Sequence, residues 1–170
     1  MLNDRALGAV VLPILLAACA TSQAAVPVIG PAGDVAALAG EWAGDYSSAA
    51  SGRSGSISFT LRAAGDSALG DVIMIPAGWG RPLTPWRPDA PPAGARQAQP
   101  EVLTINFVRV QAGHVNGTLA PYADPETGTR LVTTFVGELR GNQIDGTYTT
   151  RLPSGDTQTG RWQVQRRSSP

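Results

Sequence analysis

Residues 131–148 read LVTTFVGELRGNQIDGTY, two β-compatible runs folded about a polar turn. Apolar and β-branched residues alternate through Leu131, Thr133 and Phe135, the chain turns at Arg140-Gly141-Asn142, and Ile144-Asp145-Gly146-Thr147-Tyr148 leads back. A period of two broken by a Gly-Asn turn is the pattern of a β-hairpin with one buried face. The unit occurs twice more. Ile57 to Leu61 is followed by Gly65 and then Ala68-Leu69-Gly70-Asp71-Val72, and Leu103 to Phe107 by Gly113 and then Val115-Asn116-Gly117-Thr118-Leu119. Gly70, Gly117 and Gly146 sit near the start of the returning strands, where residues without Cβ allow the bends of a small barrel. Their spacings of 47 and 29 residues differ because a Pro-rich insertion, residues 76–100, separates the first two units.

Outward from these hairpins, residues 38–46 read as a first strand with Trp42, Gly44 and Tyr46 on one face, and residues 157–166 as a last one with Gly160, Trp162 and Val164 alternating. The expected fold is all-β: an eight-stranded antiparallel up-and-down (meander) barrel over residues 38–167, its last strand pairing with its first to remove both sheet edges. A chain of 170 residues, 42% of them hydrophobic, is long enough for one such domain and too short for two. The expected inward face collects Trp42, Tyr46, Phe59, Met74, Phe107, Phe135, Tyr148 and Trp162. An eight-stranded barrel is just wide enough to be filled by such side chains or to hold one small ligand. These eight are therefore candidate ligand-binding residues, and a filled structural core is the alternative.

The insertion breaks every periodicity, and its prolines forbid a helix interior or a central strand. Loops longer than about 12–15 residues are usually functional lids or disordered segments. Trp79, Arg81, Trp86 and Arg87 make this one a candidate lid across the barrel mouth; the alternative is that its tryptophans pack the loop onto the barrel wall.

Charge and composition exclude several functions. Thirteen basic residues, all arginine, balance thirteen acids and are scattered along the chain, so no stripe exists to neutralise a phosphate backbone, and nucleic acid is not expected as a partner. His114 is the sole histidine and falls in a tight turn with nothing to place a nucleophile beside it. One His and one Cys supply no usual zinc or copper set. Asp124 and Glu126 lack the alternating oxygen ligands of an EF-hand and read as a capped turn. No catalytic residue, metal or cofactor is expected, and the chain does not read as an enzyme.

The N-terminus carries an address. Arg5 gives a positive start, residues 6–17 an apolar run, and small residues follow, as in a signal peptide over residues 1–18. Leu16-Ala17-Ala18-Cys19 resembles the lipobox of bacterial lipoproteins, which implies cleavage before Cys19 and diacylation of its thiol. A plain secretory signal cut near Ala18 or Ala25 is the alternative. Cys19 is the single cysteine, whereas exported domains use cysteines in pairs. Two acyl chains give a stable membrane anchor where one does not. Residues 19–37 then read as a lipidated N-terminus and flexible tether. In the resemblance, Ala20 rather than Asp after the cysteine points to the outer membrane, facing the periplasm.

Gly40-Glu41-Trp42 resembles the opening motif of lipocalins and, more loosely, of avidin-like proteins, both eight-stranded up-and-down barrels. The lipocalin likeness implies a late arginine, Arg161 or Arg166, packed over Trp42. The Thr-Asp-Tyr motif of lipocalins and the tryptophan-rich later strands of avidins have no counterpart here, so the likeness carries barrel shape and not ligand identity. The function expected is a lipid-anchored envelope β-barrel that binds a small apolar ligand in its interior. The alternative is a protein-binding or protease-inhibitor-like envelope module that acts through residues 76–100 around a filled barrel.

Overall fold

The computed structural model describes residues 25–26, 28–64, 67–78, 80, 82–88 and 103–167. Two short strands, β1 (Ala25–Val26) and β2 (Val28–Ile29), precede the helix α1 (Ala32–Leu38). The long strands are β3 (Gly40–Ser47), β4 (Ser54–Ala64), β5 (Ser67–Pro76), β6 (Leu103–Gln111), β7 (His114–Leu119), β9 (Arg130–Arg140), β10 (Gln143–Arg151) and β11 (Thr157–Arg166), with the two-residue β8 (Tyr122–Ala123) beside β9. They form an all-β fold in which one strongly curled sheet makes a half-barrel. Neighbours in the sheet run β1-β5-β4-β3-β11-β10-β9-β7-β6-β2. The β9–β10 hairpin has the register its sequence dictates, with Tyr148 opposite Phe135 and Gly146 opposite Gly137 about the turn at Gly141. β11 pairs with β3, placing Trp162 opposite Tyr46.

Alternation decides which side chains reach the interior. Leu131 and Thr133 of β9, Ile144 and Thr150 of β10, and Trp162 and Val164 of β11 are buried, while Val136 on the other face is 54% exposed. Strand β6 departs from simple alternation. A bulge between Ile105 and Phe107 shifts its register, so Leu103 is buried before it and Val108 and Val110 after it. An extra residue in one strand moves all later side chains to the opposite face.

Two glycines make room for large groups. A Cβ on Gly146 would fall on the carbonyl oxygen of Val136 and on the indole of Trp162. Trp162 thus lies over this bare stretch of sheet, and its Nε1–H donates to the carbonyls of Val136 (3.1 Å) and Thr147 (3.3 Å). Gly40 has φ +133°, and a Cβ there would meet the Arg166 guanidinium. That conformation is open to glycine and strained for other residues.

Arg166 explains why the chain needs a glycine two residues before Trp42. Its guanidinium lies 4.2 Å from the centre of the Trp42 ring and donates to the carbonyls of Ala37 and Ala39 at the end of α1. Of the two late arginines considered, Arg166 is the one over Trp42. Trp42, 1% exposed, donates its own Nε1–H to Leu38 O at 3.0 Å. A seven-residue helix is too short to persist alone. Here α1 is pinned across one end of the half-barrel by Arg166, by burial of Val35 and Leu38, and by Asp34, whose Oδ2 accepts from Ala112 N at 2.8 Å.

The expected flexible tether over residues 19–37 is corrected from Ala25 onward. β1 pairs antiparallel with β5 (Ala25 opposite Leu69, Val26 opposite Ala68), and β2 pairs parallel with β6 (Val28 opposite Val108, Ile29 opposite Arg109). Among the described residues, β5 and β6 themselves pair at Asp71 with Thr104 and at Val72 with Leu103. The N-terminal strands fill the space where those two diverge. Their composition hid this role, because two-residue strands offer no periodicity and take their hydrogen bonds from neighbours far along the chain. Cys19 and the expected signal peptide lie outside the described residues.

Candidate functional site

The concave face of the sheet encloses a cavity of about 90 Å³. Its walls come from β3, β4, β5, β9, β10 and β11, with contributions from β6 and β7, and Leu38 of α1 lines one end. Around its middle stand Ile57, Phe59, Met74, Phe135 and Trp162. Ile57, Phe59, Phe135 and Tyr148 face inward yet are only partly buried, the pattern of side chains that border open space instead of a packed core. Phe135 meets Trp162 edge-on, with ring centres 5.9 Å apart, and Tyr46 meets Tyr148 likewise at 6.3 Å.

The end opposite α1 is polar. Tyr46, Tyr122 and Tyr148 bring phenol groups to the cavity wall, and Tyr122 Oη lies 3.0 Å from Thr133 Oγ1, which is 2.7 Å from Thr150 Oγ1. Burial pushes the Tyr46 phenol well above its ordinary value and raises that of Tyr148. Ser51, Arg53, Pro125 and Gln158 complete this mouth and keep contact with solvent. Arg53 is the charged residue among the lining side chains. Its Nη1 lies 2.8 Å from Asp124 Oδ2 and its Nη2 3.5 Å from Glu126 Oε2.

Asp124 holds that ion pair and the turn together. Its Oδ1 accepts from the backbone N–H groups of Glu126 (2.9 Å) and Thr127 (3.0 Å). Burial alone would raise its pKa, but Arg53 and those two N–H donors outweigh burial and hold the carboxyl below the usual carboxylate range. The capped-turn reading of residues 122–128 thus holds, with Tyr122–Ala123 additionally forming β8 against Leu131 and Arg130.

Of the eight expected inward residues, Tyr46, Phe59, Met74, Phe135, Tyr148 and Trp162 line the cavity. Trp42 does not: it is buried between Arg166 and the end of α1, stacked 6.2 Å from Phe59. The backbone of Phe107 pairs with Thr118, and its side chain lies outside the described residues. Sequence reading missed Arg53, Tyr122, Thr133 and Thr150. Tyr122 and Arg53 fall in segments that read as turns, and only the pairing of residues distant in the chain brings them to the mouth.

Among the candidate lid residues, Trp79 and Arg81 lie outside the described residues. Residues 82–88 run along the wall: Leu83 N–H donates to Met74 O (2.7 Å), Ala123 N–H to Thr84 O (3.0 Å) and Trp86 N–H to Pro121 O (2.9 Å), while Pro85 bridges Tyr122. Leu83 is buried and lines the cavity. Trp86 is half-buried outside the lining, with Arg130 5.8 Å over its ring, and Arg87 is exposed. His114 lies in the turn end of β7, 70% exposed, with Glu138 at 3.9 Å.

Among the described residues, no group of three or more His, Cys, Asp or Glu side chains could hold a metal ion. Fold and site together define a curled β-sheet around an apolar chamber with one polar mouth. In comparison with known proteins, the chain matches no family model and no curated protein sequence.

Proposed function

We propose that this chain is a lipid-anchored protein of the bacterial envelope that binds a slender apolar molecule inside an eight-stranded antiparallel meander barrel of lipocalin-like form, and that it is a binding protein, not an enzyme. The observation that carries this is the apolar cavity bordered by partly buried Ile57, Phe59, Phe135 and Tyr148, with its polar groups gathered at one end. Small-molecule sites have this design, an apolar body with few polar groups that fix orientation. Closure into a barrel is supported by the β3–β11 pairing and by the short β5–β6 contact. The Arg166–Trp42 stack behind Gly40 supports the lipocalin likeness.

Residues 82–88 are committed to the wall through backbone hydrogen bonds, which leaves the interior as the better-supported site. Cys19 anchors the protein in the outer membrane in this reading, on the strength of its lipobox. Native mass spectrometry of the full chain released from nanodiscs, purified with no added ligand, tests the interior site. We expect a non-covalent aliphatic adduct that disappears when Leu119→Trp fills the chamber. An adduct that survives that substitution, or a wild-type protein that takes up no alkyl ligand, refutes the reading.

A further inference from the structure

We propose that the mouth selects an uncharged, hydroxyl-headed, single-chain amphiphile and rejects the corresponding carboxylate; this rests on the interior being the ligand site. The chamber is apolar to its α1 end, so a bound chain places its head among Tyr46, Tyr122, Tyr148, Thr133 and Thr150. Each of these hydroxyls both donates and accepts, which matches a head group that does the same. Arg53 would be the natural partner of an anionic head, but Asp124 and Glu126 already hold its guanidinium. With Asp124 and Glu126 answering its charge from behind the lining, Arg53 offers an incoming anion no unpaired cation. A ligand carboxylate seated among the phenols gives up its water without gaining a free cation, enough to weaken binding by about tenfold. An ammonium head finds Glu126 at the rim, where that side chain is 65% exposed, but seating it among the phenols strips its water without supplying an anion inside.

Isothermal titration calorimetry on the full chain in nanodiscs, with matched empty discs subtracted, tests this using 1-octanol, octanoate and octylammonium. The expected order is 1-octanol tightest, with octanoate at least about tenfold weaker. The double variant Asp124→Asn, Glu126→Gln frees Arg53, while the amide oxygen introduced at position 124 still accepts the two turn N–H groups; octanoate affinity should rise by about tenfold or more. Octanoate binding as tightly as octanol to the native protein, octylammonium binding tightest, or no gain for octanoate in the double variant overturns the head-group selection while leaving the interior site standing. Failure of all three ligands to bind overturns both.

Discussion

Replacing Arg166 by alanine should unfasten the closed end of the half-barrel. Three interactions go at once: the guanidinium over Trp42 at 4.2 Å and the two donations to Ala37 O and Ala39 O. A cation–π contact at a half-buried site contributes about 1 kcal/mol. Hydrogen bonds from a charged donor contribute about 1.5–3 kcal/mol each when well formed, and the low end applies because Arg166 keeps some solvent contact. The loss should be about 3 kcal/mol, since the terms overlap at one side chain. Arg166→Lys keeps a charge but loses the planar fork that reaches two carbonyls, so about half the loss should remain. With a urea m-value of roughly 1–3 kcal/mol/M, Arg166→Ala should lower the unfolding midpoint by about 1–3 M, read by tryptophan fluorescence. Arg161→Ala is the control, because Arg161 is exposed and should shift the midpoint very little. Equal effects of the two alanine variants, or full rescue by Arg166→Lys, would refute the reasoning.

Gly146→Ala should cost about 2 kcal/mol, because the new methyl meets the Val136 carbonyl and the Trp162 ring, and backbone cannot swing aside; a stability unchanged in urea titration would contradict this packing. Asp124 is held below its ordinary carboxylate pKa, so its contribution to stability is complete above the unfolded value of about 4 and fades as pH falls through the lower folded value. Asp124→Asn should flatten that acid limb of the stability profile, and an unchanged limb would show that other groups cause it. Cys19→Ser should abolish incorporation of labelled fatty acid and release the protein from membrane fractions; persistence of both would exclude the lipobox.

Hairpin signals were readable because each rests on residues close in sequence. Leu131, Phe135, Ile144 and Tyr148 alternate, and the turn at Gly141 is written between them, so β9 and β10 follow from local chemistry. The arginine over Trp42 was an expectation of the lipocalin likeness, which left Arg161 and Arg166 both open until the fold placed Arg166 there. The bulge in β6 was not legible, since nothing in LTINFVRVQ marks where an extra residue resets the alternation. Tyr122 and Arg53 were hidden for another reason: they leave turns, and their place at the mouth depends on pairings such as Tyr122 with Leu131 and on the reach of Arg53 to Asp124. Trp42 was assigned to the inner face correctly as a buried residue, but burial at the helix-covered end is different from lining a chamber.

The short strands at Ala25–Ile29 also set which end of the fold an upstream attachment would hold. They join the ends of β5 and β6 nearest α1, so any attachment upstream of Ala25 grips the protein by its stoppered base. Six residues from Cys19 to Ala25 reach about 20 Å at full extension, while β3 alone, eight residues long, rises roughly 26 Å from base to rim. On the proposed lipidation of Cys19, the short tether would hold the base of the fold, and not the tyrosine-ringed opening, next to the bilayer.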